Sequence, residues 1–245
     1  MATPESIAHY LMRSVRRAVR EFALITPGDR IAVGVSGGKD SRVLLELLAR
    51  GEALSGNGNY ELVAIHVETA SAGLPDQRPA LETWFQTLNI PFEITSLELP
   101  ATESLPLDCF RCTQLRRKAL FRAAVRHGCN KVAYGHHADD AAITTLLSIL
   151  HKGQIESLAP YREYFGGQLT LIRPLIYVTE AEIRRYARAC GWEFPPELEC
   201  PRKDDARRDK VERFLATFNR REREQIRANL IRLGTARGEE TYGKP

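Results

Sequence analysis

A glycine-containing turn between an apolar strand and an apolar helix most constrains how this chain can fold. Residues 31–41 read Ile-Ala-Val-Gly-Val-Ser-Gly-Gly-Lys-Asp-Ser, which predicts a buried strand, a tight turn and the start of a helix. Gly37 and Gly38 let the backbone turn and present its amides. Ser36 and Ser41 add hydroxyl groups at a helix N-terminus, where the dipole favours anions. This arrangement predicts phosphate binding.

Two charged residues follow the glycines of this turn. Lys39 adds positive charge that suits phosphates, and Asp40 is placed to orient a magnesium ion or the turn itself. The spacing is not that of the Walker motif G-x-x-x-x-G-K-S/T, so a P-loop NTPase is not predicted. An ordinary glycine-rich strand-to-helix turn is the alternative.

The rest of the chain alternates strand and helix patterns. Such alternation predicts an α/β fold with a mostly parallel sheet covered by helices on both faces. An amphipathic helix with apolar residues from Ile7 to Phe22 precedes the sheet. Further strands are predicted at 62–67, 92–97, 131–134 and 169–172, and further helices near 81–88, at 112–127, around 143–150, and at 180–190, 207–218 and 220–233.

The second predicted strand ends with Ala-Ile-His-Val-Glu at 64–68. An open parallel sheet exposes the carboxyl ends of its strands to ligands. His66 is therefore a candidate for contact with a nucleotide, and a plain strand end is the alternative.

Positive charge is concentrated at the carboxyl end. The chain of 245 residues has a net charge of +4, but residues 202–237 hold 12 Lys+Arg and 6 Asp+Glu, giving +6, and the remainder holds 23 against 25, giving −2. Such a basic segment is expected to approach phosphates, and a pair of solvated helices of mixed charge is the alternative. No apolar run approaches the roughly 20 residues of a membrane span. We therefore expect a cytoplasmic protein without a membrane partner.

Five cysteines, an odd number, favour metal binding or redox chemistry over a disulfide framework. Cys109 and Cys112 form a C-x-x-C at a predicted helix start, where amides and nearby arginines favour thiolates. Cys200 lies 88 residues after Cys112 and supplies a third thiol. Three cysteines without an evident fourth are consistent with a 4Fe-4S cluster that has one open iron. Cys129 and Cys190 lack a motif and are predicted to be packing residues.

The turn at 36–41 resembles the S-G-G-x-D-S pyrophosphate loop of the PP-loop ATP pyrophosphatases, and additional motifs resemble their tRNA 2-thiocytidine synthetase (TtcA-type) branch. The resemblance extends from about Arg30 to Leu215. The additional motifs are C-x-x-C-x-x-L-R-R from Cys109, Tyr-Gly-His-His-Ala-Asp-Asp ending at Asp140, Ile-Arg-Pro-Leu ending at Leu175, and the late Cys200.

This resemblance implies a Rossmann-like PP-loop (adenine nucleotide alpha hydrolase-like) fold with N-terminal and C-terminal helical additions. The expected division is an N-terminal helix at 1–26, a PP-loop ATPase/thiolase domain at 27–190, and a C-terminal helical extension at 191–245 that carries Cys200.

The resemblance also implies ATP, Mg²⁺ and a 4Fe-4S cluster as cofactors. The implied catalytic residues are Lys39, Asp40 and the three cysteines, of which Cys109, Cys112 and Cys200 would bind the cluster. The implied nucleotide-binding residues are Ser36, Gly37, Gly38, Lys39, Asp40, Ser41, His66, Gly135, His136 and Asp140.

The implied reaction is thiolation of tRNA, in which O2 of cytidine 32 in the anticodon loop is adenylated and sulfur then replaces it at C2. The implied partners are tRNA, a sulfur donor (sulfur from a cysteine desulfurase, or hydrosulfide) and, by analogy, a second copy in a homodimer. Alternatives are a related thiolase acting on uridine or a small molecule, an adenylating amidotransferase or lysidine-type enzyme without a cluster, and a non-catalytic nucleic-acid-binding protein. Candidate tRNA phosphate contacts are Arg116, Arg117, Lys118, Arg122 and the basic carboxyl-terminal helices.

Overall fold

A six-stranded, mostly parallel sheet forms the centre of the molecule, with helices on both faces. The computed structural model describes residues 3–51, 54, 59–73, 75–100, 102–103, 105, 107–194 and 206–236. The strands are β1 (Arg30–Gly34), β2 (Glu61–Glu68), β3 (Phe92–Ser96), β4 (Lys131–Ala133), β5 (Tyr161–Tyr164) and β6 (Leu169–Ile172). The helices are α1 (Pro4–Glu21), α2 (Lys39–Ala49), α3 (Arg78–Thr87), α4 (Cys109–Arg126), α5 (Ala138–Lys152), α6 (Glu180–Ala189), α7 (Ala206–Ala216) and α8 (Arg220–Ala236).

The strand order brings the ends of several strands to one edge of the sheet. The order is β3-β2-β1-β4-β6-β5, and every pair is parallel except β5 with β6. Val33 of β1 lies opposite Ala64 of β2 on one side and Ala133 of β4 on the other. The predicted α/β class with a mostly parallel sheet is confirmed.

Two hydrophobic clusters fill the spaces on the two faces of the sheet. One cluster joins α1, α2, α3 and α6 to the sheet, and Leu11, Met12 and Val15 of α1 are fully buried in it. The other lies under α4 and includes Leu120 and Cys129. The predicted amphipathic helix is thus part of the main core, and the predicted boundary at residue 26 stays a prediction.

The two closing helices pack against α5. Gly234 of α8 allows this approach, because a Cβ there would lie 2.2 Å from the Cβ of Ser157 and 3.0 Å from Oγ1 of Thr145. Among the described residues, no helix combines the length and apolar character that crossing a membrane requires.

One strand, β5, was not predicted from the sequence. β5 pairs antiparallel with β6 at the edge of the sheet, and the turn that joins them contains Phe165 and Gly166 with φ of 54° and 64°. Most of β5 is exposed, so it lacks the apolar alternation that identifies a half-buried strand.

Candidate functional site

The turn between β1 and α2 is held by hydrogen bonds among its own residues. Gly37 has φ of +89°, which favours glycine. Oγ of Ser41 accepts a hydrogen bond from the backbone N–H of Ser36 at 3.1 Å and donates one to the carbonyl of Gly38 at 3.0 Å. The turn therefore has a fixed shape at the N-terminus of α2, the geometry that suits an anion.

Two glycines permit close packing around this turn. A Cβ on Gly135 would lie 2.9 Å from the backbone carbon of Asp40 and the nitrogen of Ser41, so the segment after β4 contacts the first turn of α2 directly. A Cβ on Gly37 would overlap the side-chain amide of Gln77. Any larger residue at position 135 would separate β4 from the turn.

A cleft of about 290 Å³ opens beside the turn. It lies between the ends of β1, β2 and β4 and one face of α4. The residues that line it are Gly34, Val35, Ser36, Asp40, Ser41, Ile65, Val67, Thr113, Arg116, Arg117, Leu120, Tyr134, Gly135, His136 and Asp140.

Lys39 and Asp40 begin α2 and carry opposite charges. Nζ of Lys39 lies 3.1 Å from Oε1 of Glu180 at the start of α6, and 3.3 Å from Oδ2 of Asp40. Oδ1 of Asp40 is buried and has no hydrogen-bond partner among the described residues, since Nε2 of His137 is 3.7 Å away. A buried carboxylate oxygen with unused lone pairs in a phosphate-binding cleft fits a magnesium ligand.

His66 lies beside the cleft, whereas its neighbours Ile65 and Val67 line it. Nδ1 of His66 is 2.8 Å from the carbonyl of Val35, which can only accept, so Nδ1 donates. Burial lowers the pKa of His66, and this hydrogen bond offsets part of the effect. This hydrogen bond holds the backbone of Val35, the residue before Ser36. The predicted contact of His66 with a nucleotide stays a prediction.

His136 is neutral in the cleft. Burial lowers its pKa to about 4, and the nearby charge of Arg173 acts in the same direction. Nε of Arg173 donates to Nδ1 of His136 at 3.2 Å, so the ring proton is on Nε2. Burial also lowers the pKa of Arg173 to about 10, and the carbonyl of Ala159 accepts a hydrogen bond from its guanidinium.

Asp139 and Asp140, at the start of α5, bind arginines of the closing helices. Nη2 of Arg208 lies 2.6 Å from Oδ1 of Asp140, and Nε of Arg227 lies 2.7 Å from Oδ1 of Asp139. Burial opposes ionisation of Asp140, but the charge of His137 and the hydrogen bond from Arg208 outweigh it and lower the pKa. Asp140 is therefore a fixed anion in the cleft wall.

The two cysteines of the C-x-x-C lie in the first turn of α4. Oδ1 of Asp108 caps this helix by accepting the backbone N–H of Arg111 at 2.8 Å. Cys109 is exposed and Cys112 is half-buried. Positions 109, 113, 116 and 120 follow helical spacing, so Cys109 lies on the stripe of α4 that continues into the cleft wall.

Cys200 lies outside the described residues. Within the described part of the chain, no group of three or more His, Cys, Asp or Glu side chains forms a metal site. The other two cysteines fit the predicted packing role: Cys129 is buried in the core, Cys190 is half-buried, and burial raises the pKa of both thiols.

The predicted RNA-contacting residues of α4 divide into two groups. Arg116 and Arg117 line the cleft and are therefore close to any ligand held there. Arg122 pairs with Glu98 at the surface, and Lys118 is exposed.

Sequence reading missed Glu180, Gln77 and Arg173 as site residues. Glu180 and Gln77 reach the turn from distant segments without a motif that would mark them. Arg173 lies within the Ile-Arg-Pro-Leu motif. A single arginine between apolar residues could have marked it as a site residue.

A parallel sheet whose first strand leads into a Ser-Gly-Gly-Lys-Asp-Ser turn defines a PP-loop nucleotide-binding domain, and the PP-loop domain family matches residues 11–197. The chain belongs to the tRNA-cytidine(32) 2-sulfurtransferase family within that class. It is 34% identical over 226 residues to the tRNA-cytidine(32) 2-sulfurtransferase of Anaeromyxobacter sp. (strain K), covering 90% of this chain and 76% of the relative. It is 31% identical over 242 residues to that of Xanthomonas campestris pv. campestris (strain B100), covering 97% and 80%.

A solved structure supports the fold. The U34-tRNA thiolase NcsA from Methanococcus maripaludis, solved with its 4Fe-4S cluster, superposes with a TM-score of 0.75 at 24% identity, covering 97% of this chain and 81% of that one. The predicted family and fold are both confirmed.

Proposed function

We propose that this chain catalyses ATP-dependent thiolation of tRNA at C2 of cytidine 32. The observation that carries the proposal is that one face of α4 both lines the nucleotide cleft and presents the C-x-x-C. Cys109 lies one helical turn before Thr113 of the cleft wall, so the activated base and the sulfur site are neighbours. The activity named for the relatives agrees with this geometry.

ATP would bind with its phosphates on the Ser36–Ser41 turn and the N-terminus of α2. The amides of Gly37 and Gly38 and the charge of Lys39 would offset phosphate charge. Binding requires Lys39 to exchange Glu180 for phosphate, because its ammonium group lies 3.1 Å from that carboxylate. Asp40 is the proposed magnesium ligand, since its Oδ1 is buried and lacks a hydrogen-bond partner among the described residues.

The first half-reaction makes the base oxygen a leaving group. O2 of the cytosine attacks the α-phosphorus of ATP, the bond to the β-phosphate oxygen breaks, and pyrophosphate leaves. Arg116 and Arg117 line this space and would stabilise the negative charge on the α-phosphate and on the departing pyrophosphate. His136 stays neutral and can donate a hydrogen bond from Nε2.

The second half-reaction replaces oxygen with sulfur. Hydrosulfide adds at C2, the C2–O bond breaks, AMP leaves with the former base oxygen, and the sulfur loses its proton. This step changes no oxidation state.

The cysteines are proposed to hold a 4Fe-4S cluster through Cys109, Cys112 and Cys200. Two thiols in the first turn of a helix fit this role, because the helix N-terminus favours thiolates. When bound, such a cluster would supply an iron that can carry sulfur.

The test is anaerobic reconstitution followed by nucleoside analysis. Wild-type protein with ATP, Mg²⁺, sulfide and unmodified tRNA is expected to bind about four irons per chain and to form 2-thiocytidine in tRNA. Cys109→Ser, Cys112→Ser and Cys200→Ser should lose iron and thiolation, and Lys39→Ala should lose pyrophosphate release but keep iron. The matched control is Cys190→Ser, which should retain both.

Three results would contradict parts of this proposal. An iron-free active protein would exclude the cluster, 2-thiouridine in place of 2-thiocytidine would change the base, and pyrophosphate release without tRNA would favour a small acceptor. A tRNA substrate also implies work in the cytoplasm. The proposed sulfur donor is a cysteine desulfurase or free hydrosulfide. We also propose a homodimer, which analytical sedimentation would test.

A further inference from the structure

The closing helices contact the nucleotide cleft through two half-buried carboxylates. Arg208 of α7 donates from Nη2 to Oδ1 of Asp140 at 2.6 Å, and Arg227 of α8 donates from Nε to Oδ1 of Asp139 at 2.7 Å. The side chains of Asp140 and Asp139 are only 16% and 22% exposed. These contacts join residues 68 and 88 positions apart in the chain.

The second oxygen of each carboxylate is also used. Oδ2 of Asp140 accepts the backbone N–H of His137 at 3.1 Å, which fixes the start of α5. Oδ2 of Asp139 accepts the backbone N–H of Glu180 at 2.7 Å, which fixes the start of α6. Each arginine therefore holds a carboxylate whose other oxygen anchors a helix N-terminus.

Both helix starts contact the phosphate-binding turn. Glu180 places its carboxylate 3.1 Å from Nζ of Lys39. His137 places Nε2 3.7 Å from Oδ1 of Asp40, and Asp140 itself lines the cleft. The chain of contacts thus runs from α7 and α8 to the two charged residues at the start of α2.

We propose that Arg208 and Arg227 are positioning residues for the ATP-using step, acting from the closing helices through Asp140 and Asp139 on the first turns of α5 and α6. The proposal rests on the proposed function, since it concerns the same cleft. The basic extension then has a second task besides RNA contact: it orients the anionic wall against which ATP and magnesium bind. Neither arginine touches the nucleotide in this scheme.

A direct contact with tRNA phosphate is the competing role for these arginines. The two roles affect different kinetic constants. An arginine that binds RNA phosphate contributes to the KM for tRNA and to the salt dependence of binding. An arginine that orients the cleft contributes to kcat for pyrophosphate release at saturating tRNA, because misplaced groups lose transition-state stabilisation.

The experiment compares the kinetics of Arg208→Met, Arg227→Met and Arg208→Lys with those of the wild type, using the full chain after anaerobic iron–sulfur reconstitution and with Mg²⁺ present. We expect each methionine variant to lower kcat for tRNA-dependent pyrophosphate release about tenfold or more, with the KM for tRNA changed less than about twofold. Arg208→Lys should recover part of the loss, because it keeps a cation beside Asp140. The matched control is Arg220→Met on α8, whose guanidinium is exposed and pairs with Glu224. It should retain wild-type kcat at saturating tRNA, and any RNA contact that it makes would change only the KM for tRNA.

Thermal unfolding of every variant separates positioning from loss of fold. A raised KM for tRNA with unchanged kcat would overturn the proposal in favour of RNA contact. A kcat no lower than that of the Arg220→Met control would overturn it too. If a methionine variant is unfolded, Arg208→Lys decides: a folded lysine variant with wild-type kcat contradicts the proposal, and a folded one with reduced kcat supports it. Wild-type protein that lacks thiolation contradicts the proposed function instead.

Discussion

At the scale of single residues, the cleft fixes the protonation of its histidine. Arg173 donates to Nδ1 of His136, and burial together with that cation keeps the ring neutral. A neutral ring with its proton on Nε2 is a hydrogen-bond donor that adds no charge to the cleft. The charges available to phosphates therefore come from Lys39, Arg116 and Arg117 rather than from this histidine.

The lowered pKa of His136 makes stability depend on pH. The folded-state pKa of about 4 is below the ordinary 6.5, so between these values the unfolded chain binds a proton that the folded chain does not. This contribution is complete above pH 6.5 and is lost as pH falls towards 4. Wild-type protein should thus lose roughly 1 to 2 kcal/mol more unfolding free energy between pH 7 and pH 5 than His136→Asn.

Urea unfolding at the two pH values measures this difference. His9→Asn, at an exposed position on α1, is the control and should follow the wild type. Equal pH dependence in wild type and His136→Asn would show that His136 is not kept neutral by its surroundings.

At the scale of elements, α4 links two parts of the site. Its N-cap Asp108 precedes the first cysteine, and its cleft face carries Thr113 and Arg116. A well-formed first helical turn therefore keeps the distance between the thiols of Cys109 and Cys112 constant.

Replacing the N-cap of α4 should loosen the cysteine turn. Asp108→Ala removes the acceptor for the N–H of Arg111 and is expected to cost about 1 kcal/mol of unfolding free energy. Iron should also be released faster by a chelator, because an unfastened first turn holds the thiols less rigidly. Asp108→Asn keeps the cap and should resemble the wild type in both measurements; iron release from Asp108→Ala at the wild-type rate would contradict the idea.

The elements that sequence reading predicted correctly have strong local signals. β6 (Leu169–Ile172) was predicted with its bounds, and β2 and β3 were predicted within one residue at each end. α4 begins at Cys109, three residues before the predicted start at Cys112, because Asp108 caps the helix there. β5 was missed because an exposed edge strand has no such pattern.

At the scale of the whole molecule, α8 lies against α5 and the segment that follows it closely enough that Gly234 has no room for a methyl group. Gly234→Ala would favour the helix intrinsically, since alanine is the better helix former. Its Cβ would nevertheless meet the Cβ of Ser157 at 2.2 Å, which is a steric overlap. We therefore expect destabilisation of about 1 to 3 kcal/mol and faster proteolysis of α8.

The double variant Gly234→Ala/Ser157→Gly is the control, because it removes the overlapping atom. It should recover part of the lost stability in thermal unfolding. If Gly234→Ala were more stable than the wild type, α8 could move away from Ser157 without loss of stability, and the prediction would be wrong.

Long-range contacts set the limit of sequence reading for the site. The phosphate-binding turn was predicted because six consecutive residues form it. The pairing of Asp139 with Arg227 was not predicted, because the two residues are 88 positions apart and each suits a solvated helix face equally well. The predicted roles of the individual site residues stay predictions that the proposed experiments test.

One helix, α4, carries both the C-x-x-C and part of the cleft wall. A straight helix rises about 5.4 Å per turn, so the distance from Cys109 to the cleft wall at Thr113 is set by backbone geometry and not by a loop. Any tilt of α4 would move Cys109, Thr113 and Arg116 together as one rigid body. In the proposed reaction, an RNA would therefore have to present its base to thiols and a cleft wall that keep a constant separation along α4.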